Sequence, residues 1–459
     1  MLDSKVKVTF YGGAENVTGA NFLLEEVGGV KILLDCGLAQ GGNNYMDINW
    51  GKFPYDPASI DYLVISHAHI DHVGRIPKLV KAGFKGKILS TPPTRDIAGI
   101  MLMDSLGILG KEAKMMKKDP MYTEEDVVRS MTLWQEGIPY HREYKVGNFL
   151  MTLRDSGHIL GSSMSEFVIN GKKIVYTGDL GNSPNVLLND TEVITDADYL
   201  IMESVYGDRN HEPHNMSRDM LEDAIEGTVR SDGVLMIPAF SIEKTQEILF
   251  EINKMMEESR IPLVKVFLDS PLAIKVTDVY NKYRSYFNPL AMKEYAFHPQ
   301  DGIFAFPQLI RTLKTEESIS IKSYSNPKII IAGSGMSNGG RILHHETNYL
   351  PDKKSTLLIT GYQSANTLGR LVQEGAKKVK IMGDDVQVRA SVVSITGFSG
   401  HKGADDLLDF VSHTADKVKH IFVALGEPKS SMYLVQRIRD NLALDASIPE
   451  YGQSFDLDI

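Results

Sequence analysis

The chain reads as an α/β protein of 459 residues in which one domain interrupts another. Three observations predict this. Short apolar runs alternate with loops and helical patterns through residues 1–208. A strand–helix rhythm follows over residues 217–332, which implies a mainly parallel sheet covered by helices. Polar clusters that join His or Asp to glycine stand at apparent strand ends, where α/β proteins place their chemistry. The expected organisation is a first domain over 1–208, an insert over 209–365, and a return to the first domain over 366–459.

In chain order, Val6, Val8 and Phe10 alternate with period two and predict a strand over 5–11. Further strands are expected at 22–27, 30–35, 62–66, 149–155, 166–169 and 173–177, with helices over 93–117 and 124–135. A strand over 199–203 ends in an acidic residue, Glu203. The insert then reads as helix 217–230, strand 234–237, helix 242–256, strand 264–268 and strand 328–332. Beyond Asn366, strands 378–382, 391–396 and 421–424 alternate with helices 404–411 and 431–442. There is no internal repeat and no low-complexity linker.

Length provides material for two or three cores. No apolar run reaches membrane-spanning length and no basic-then-apolar leader opens the sequence, so a cytoplasmic protein without membrane partners is expected. The single cysteine, Cys36, excludes an intrachain disulfide and reads as a small core residue beside Asp35. A net charge of −10 argues against indiscriminate nucleic-acid binding, although bound cations and a local basic groove can still admit a polyanion. The basic segment 111–118 reads as a solvated helix face.

Chemistry concentrates in Ser66-His67-Ala68-His69-Ile70-Asp71-His72-Val73-Gly74, directly after the apolar run Tyr62-Leu63-Val64-Ile65. Imidazole and carboxylate hold divalent transition metals, and a catalytic site needs several such ligands converging. In extended backbone His67 and His69 point the same way and Asp71 follows. A helical turn after Asp71 would swing His72 toward a second centre. Three clusters at strand ends supply further ligands: Asp155-Ser156-Gly157-His158, Thr177-Gly178-Asp179, and Gly397-Phe398-Ser399-Gly400-His401. The resulting assignment gives His67, His69 and His158 to one metal and Asp71, His72 and His401 to another, with Asp179 bridging. Two metals about 4 Å apart can share a hydroxide and stabilise both oxygens of a displacement at phosphorus. Asp35, ending its strand, is expected to accept an imidazole N–H from a ligand.

Together these residues resemble the metallo-β-lactamase superfamily, whose fold is a four-layer αβ/βα arrangement. Later landmarks resemble its β-CASP nucleases, which carry an inserted α/β domain. Met202-Glu203-Ser204-Val205-Tyr206-Gly207-Asp208-Arg209 is similar to motif A. Gly333-Ser334-Gly335-Met336 with Gly339-Gly340-Arg341-Ile342-Leu343-His344-His345 is similar to the family's Ser-Gly-Met loop and following helix, and His401 matches motif C. A histidine at motif C is typical of RNA-processing members. The likeness is greatest to the short bacterial and archaeal ribonucleases, which share their core with the eukaryotic pre-mRNA 3′-end endonuclease. It implies two zinc ions, with manganese as the alternative, a single-stranded RNA substrate held in a cleft between two domains, and a homodimer. It also implies Asp71, Glu203 and His401 as catalytic residues, and substrate contacts from Ser334, Gly335, Met336 and Arg370. His344 and His345 read as structural.

Two departures stand out. Motif B is often a histidine just after a segment like Asn366-Thr367-Leu368-Gly369-Arg370, where this chain has Leu371. A His-Gly-Glu near the C-terminus is replaced by Leu425-Gly426-Glu427. The expectation is therefore a zinc-dependent ribonuclease that uses a metal-bridging hydroxide. The alternatives are a metal-dependent hydrolase of another ester (a lactone, thioester or cyclic nucleotide) and a weakly active RNA-binding scaffold.

Overall fold

The computed structural model describes residues 5–40, 45–297, 302–361, 363–364 and 366–459. The chain forms two compact units, Met1–Asn210 with His401–Ile459, and His211–Gly400.

In the first unit, one sheet runs in the order Ser454–Leu457, Val6–Phe10, Phe22–Glu26, Lys31–Leu34, Tyr62–Val64, Lys87–Leu89. Its first four strands pair antiparallel and its last three parallel. The second sheet runs Ala446–Ser447, His420–Val423, Tyr199–Met202, Lys172–Tyr176, Ser163–Ile169, Phe149–Asp155, Tyr144–Val146. One core joins the two: Val8, Phe10, Phe22 and Ile32 of the first sheet bury with Leu153, Phe167, Ile174 and Tyr176 of the second. On the second sheet's other face, Val175, Leu200 and Met202 pack with Leu407 and Phe410 of helix Ala404–Ser412 and with Leu434 and Ile438 of helix Pro428–Leu442. On the first sheet, alternate residues Leu23, Leu33 and Leu63 are buried as well, so both faces are covered. This is the layered α/β architecture expected.

Helix Pro92–Met116 begins where Thr91 accepts a hydrogen bond from the Thr94 amide and Pro92 pre-sets the first turn. The Thr91 and Thr94 hydroxyls also donate to the Gly161 carbonyl at 2.6 and 2.8 Å, which ties this helix start to the loop carrying His158.

The second unit is built on a six-stranded, wholly parallel sheet in the order Leu309–Arg311, Lys265–Leu268, Lys328–Ala332, Val234–Pro238, Thr356–Ile359, Ser391–Ser394. Every residue of Val234–Pro238 and Lys328–Ala332 is buried, as strands covered on both faces require. The expected strand at 378–382 exists as Lys378–Ile381, but it belongs to a separate two-stranded antiparallel ribbon with Asp384–Gln387. The three-residue strands Lys87–Leu89, Tyr144–Val146 and Leu309–Arg311 are too short to show a period and went unpredicted.

Ile201 lies at the centre of Tyr199–Met202, 1 % exposed between parallel neighbours. Ile201→Ala should cost roughly 2–5 kcal/mol through lost burial and a residual cavity. It should lower the midpoint of urea unfolding of the first unit, and an unchanged midpoint would contradict the packing described.

Candidate metal centre

Asp35 organises the first half of the site. It directly follows strand Lys31–Leu34, adopts φ +56°, and is fully buried. Its carboxylate accepts the Ser66 amide at 2.8 Å, the Ser66 hydroxyl at 2.7 Å and the Tyr176 hydroxyl at 2.6 Å. The same carboxylate lies 2.7 Å from His72 Nδ1. A carboxylate there fixes the proton on Nδ1 and turns Nε2 inward, and although burial opposes a charge, Asp179 and Asp35 raise this imidazole well above its ordinary value. That Nε2 is buried without a hydrogen-bond partner and lies 3.5 Å from Asp179 Oδ1. Helix Ile70–Val73 starts right after His69, and the expected turn after Asp71 thus falls inside it. Gly37 has to be glycine at this contact: a Cβ there would sit 1.4 Å from the Asp71 carbonyl oxygen.

Four donor atoms converge beside this hub. His69 Nδ1 lies 3.0 Å from His67 Nε2 and 3.1 Å from His158 Nε2. Asp179 Oδ2 lies 3.4 Å from His67 Nε2 and 3.6 Å from His158 Nε2. The ligand atoms of His67, His69, His158 and Asp179 all fall within 4.8 Å of one another. A tetrahedral zinc with bonds of about 2.0–2.1 Å has ligand-to-ligand edges of about 3.3–3.4 Å, so these spacings fit a shared cation. Gly178, at φ +55°, makes the turn that delivers Asp179, and a Cβ on it would lie 2.6 Å from that of Ser66.

Asp179 also belongs to a second group, with Glu203 and His401. Glu203 is fully buried and accepts the Leu180 amide at 2.6 Å and the Val205 amide at 3.3 Å, while its Oε1 lies 3.1 Å from His401 Nδ1. So engaged, Glu203 holds the His401 ring and directs its other nitrogen away from itself. The His401 ring lies with its centroid 4.6 Å from that of His158, the two planes tilted by 44°. Asp71, His72 and His401 do not form a group of three within 4.8 Å among the described residues. Asp71, partly buried, is linked to the site through the charges of His72, Asp179 and His401.

Burial and crowding set the protonation states. His67 is held well below the ordinary imidazole value, and His69 is pushed down to about 3, in both cases chiefly because burial penalises the cation. Both are therefore neutral, with lone pairs available to a metal. Burial opposes a charge on His401 too, but Glu203, Asp179 and Asp71 outweigh it and raise this imidazole to about 9. Burial alone would raise Asp179, yet His72 and His67 hold it ionised, well below the usual carboxylate range. Asp71 is raised, mainly by burial. Cys36 is buried as expected, and burial pushes its thiol up to about 11.

The remaining candidates lie in the second unit. The Ser334 amide donates to the Gly339 carbonyl at 3.1 Å, so it is spent inside the loop. The Ser334 hydroxyl accepts the Asn338 amide at 3.0 Å. The amides of Gly335 and Met336 have no acceptor among the described residues, while their carbonyls hold Gln363 and the Gly369 amide. Arg370, on helix Leu368–Gln373, pairs with Glu374 at 2.6 Å. Sequence reasoning missed Ser66 and Tyr176. Period two from the strand Lys172–Tyr176 signals an inward tyrosine, but nothing in the sequence marks Asp35 as its acceptor.

Asp35→Asn preserves the shape and tolerates positive φ, but it removes the charge that polarises His72. We expect roughly 10–100-fold weaker metal affinity by competition with a chromogenic chelator, and unchanged affinity would remove Asp35 from the site.

Three family models match successive parts of the chain: the metallo-beta-lactamase superfamily domain over 23–205, the Beta-Casp domain over 245–372, and the Zn-dependent metallo-hydrolase RNA specificity domain over 385–449. Ribonuclease TTHA0252 of Thermus thermophilus is 34 % identical over 409 residues, covering 88 % of this chain and 90 % of that one. An RNase J-like protein of Methanocaldococcus jannaschii is 32 % identical over 456 residues, covering 97 % and 99 %. Transcription termination factor FttA of Methanosarcina mazei is 27 % identical over 461 residues, covering 96 % of this chain and 70 % of that one. A solved protein of unknown function from Enterococcus faecalis V583 shares the fold with a TM-score of 0.56 at 12 % identity, over 99 % of this chain and 100 % of that chain. Matched along its length by these domains and relatives, the chain is a metal-dependent hydrolase of the β-CASP family within the metallo-β-lactamase superfamily.

Proposed function

We propose that the protein is a zinc-dependent ribonuclease that hydrolyses phosphodiester bonds of single-stranded RNA. The observation that carries the reading is the convergence of His67, His69, His158 and Asp179, with Asp179 shared by a second group that contains Glu203 and His401. In this reading the donor set holds two divalent cations. His67, His69 and His158 would hold one, His72 and His401 would hold the other with Asp71, and Asp179 would lie between them. Histidine-rich ligation favours zinc, and manganese is the alternative. When bound, the two cations supply an activated water and offset the charge that builds up at phosphorus.

The chain's own residues do the rest. Asp35 and Ser66 orient His72 and His67, and Glu203 orients His401. Asp71 positions the attacking water. In the second unit, the amides of Gly335 and Met336, without an acceptor among the described residues, offer donors to RNA phosphate oxygens. RNA as substrate is supported by the ribonuclease and RNase J-like relatives and by the RNA specificity domain. The experiment that tests it is hydrolysis of labelled single-stranded RNA, single-stranded DNA and small esters by metal-loaded protein. RNA turnover should exceed the other two. Robust hydrolysis of a small ester with none of RNA would overturn the reading.

Asp71→Asn should abolish RNA hydrolysis while leaving RNA affinity in a binding assay nearly unchanged, because substrate contacts are spread over many groups. Wild-type turnover in this variant would contradict the role given to Asp71. Leu371 is 47 % exposed on its helix, so Leu371→His disturbs no core. If the absent motif B histidine limits the rate, this change should raise turnover by up to ~10²-fold. Fast wild-type turnover with no gain in the variant would show that the position is not limiting.

A further inference from the structure

In the second unit, two helical segments face each other with polar stripes. Positions 315, 318, 319 and 322 lie along helix Thr315–Ser320 and the turn Ile321–Ser323, and positions 341, 344, 345 and 348 lie along helix Ile342–Tyr349 and its cap. Each stripe follows the i, i+3, i+4, i+7 spacing that normally carries the apolar face of a packed helix. Here the stripes carry Ser318, Lys322, Arg341, His344, His345 and Asn348, and they enclose a cavity of about 410 Å³.

The floor of this groove is a saturated carboxylate. Asp269, fully buried, directly follows strand Lys265–Leu268. One of its oxygens accepts the Thr312 hydroxyl at 2.6 Å and Arg341 at 2.7 Å, and the other accepts the Ser318 hydroxyl at 2.6 Å and lies 2.7 Å from His345 Nε2. Asp269 thereby clamps both walls and neutralises Arg341, two of whose other donors go to the Thr312 and Leu313 carbonyls. His345, 5 % exposed, keeps Nδ1 without a partner among the described residues. Lys322 reaches across to the Asn348 side-chain oxygen at 3.4 Å and has no acidic partner among the described residues. The charge left over in the groove is positive.

The location agrees with where open parallel sheets take ligands. Asp269, Thr312 and the loop after Ala332 sit at the C-terminal ends of three adjacent strands. The chain leaving Leu268 proceeds to Leu309–Arg311 on one side, while the chain leaving Ala332 proceeds to Thr356–Ile359 on the other. Such a reversal marks a ligand crevice.

We propose that this groove is a second ligand site, which takes a phosphate monoester of about nucleotide size and does so without the metal centre. Lys322, His344 and the Asn348 amide, one of whose N–H groups goes to the His344 carbonyl, offer donors from several directions, which suits the terminal oxygens of a phosphate dianion, while His345 is held by Asp269. The cavity exceeds what inorganic phosphate needs and lies in the range of small-molecule sites. Ile319, 71 % exposed, gives an apolar wall for the rest of the ligand. The same chemistry is offered by a free mononucleotide and by a phosphorylated RNA end.

The test is calorimetric titration of the full chain, chelator-treated and metal-loaded, with AMP and UMP, their nucleosides, inorganic phosphate, and 5′-phosphorylated and 5′-hydroxyl oligonucleotides. We expect one mononucleotide bound per chain in both metal states, with no binding of the nucleosides. Lys322→Gln and His344→Ala change exposed side chains, and each should weaken binding about tenfold or more. Binding of the 5′-phosphorylated oligonucleotide alone, with the same loss in both variants, assigns the groove to an RNA end and supports the site. Binding of no phosphorylated probe, or affinity unchanged in both variants, overturns it. The readout involves no hydrolysis, so the result is independent of whether the ribonuclease reading holds.

Discussion

A buried carboxylate surrounded by imidazoles is the constraint on which the first unit depends. Asp179 is 5 % exposed and stands within 3.4–3.6 Å of three imidazole nitrogens, beside a fully buried Glu203 and Asp35. Ionisable groups taken out of water at this density are stable only when each is hydrogen-bonded or shares a cation. The surrounding chain meets the first condition wherever it can. Ser66, Tyr176 and His72 saturate Asp35, and two backbone amides and His401 occupy Glu203. What stays unmet is the inward-facing Nε2 of His72, beside the crowded nitrogens of His67, His69 and His158. That residue of unsatisfied polarity is the physical argument for a metal centre.

The two sheets of the first unit explain how distant segments reach one point. Asp35 leaves the strand Lys31–Leu34, the His67 loop leaves the adjacent parallel strand Tyr62–Val64, and Asp179 and Glu203 leave the parallel pair Lys172–Tyr176 and Tyr199–Met202. Strands that run parallel bring their C-terminal ends to one edge, so side chains more than a hundred positions apart can be delivered together. Close approach then depends on glycine, at Gly37 against the Asp71 backbone and at Gly178 against the Ser66 side chain.

Much of this was legible in the sequence, for identifiable reasons. The long helix Pro92–Met116 and the insert's strands Val234–Pro238 and Lys328–Ala332 were visible because a sustained helical pattern marks the first and unbroken apolar runs mark the others. Candidate ligands were visible because His and Asp beside glycine at strand ends are chemically distinctive. The partition between two cations, read from the sequence and kept in the proposal, also depends on which imidazole nitrogen faces inward, and spacing along the chain does not encode that. The short strand Leu309–Arg311 was invisible because three residues carry no period. His344 and His345, read as structural from their helical pattern, turn out to differ: His345 is clamped to Asp269, while His344 stands exposed on the same groove.

The central claim is that the inner ring holds two cations, with Asp179 between them. Anomalous diffraction at the zinc edge from crystals of zinc-loaded protein tests it most directly. The account predicts two peaks per chain about 3.5–4 Å apart, one bounded by His67, His69 and His158 and the other by Asp71, His72 and His401, with Asp179 contacting both. No peak among these residues, or a single peak at full occupancy with His72 and His401 turned away from it, would contradict the account.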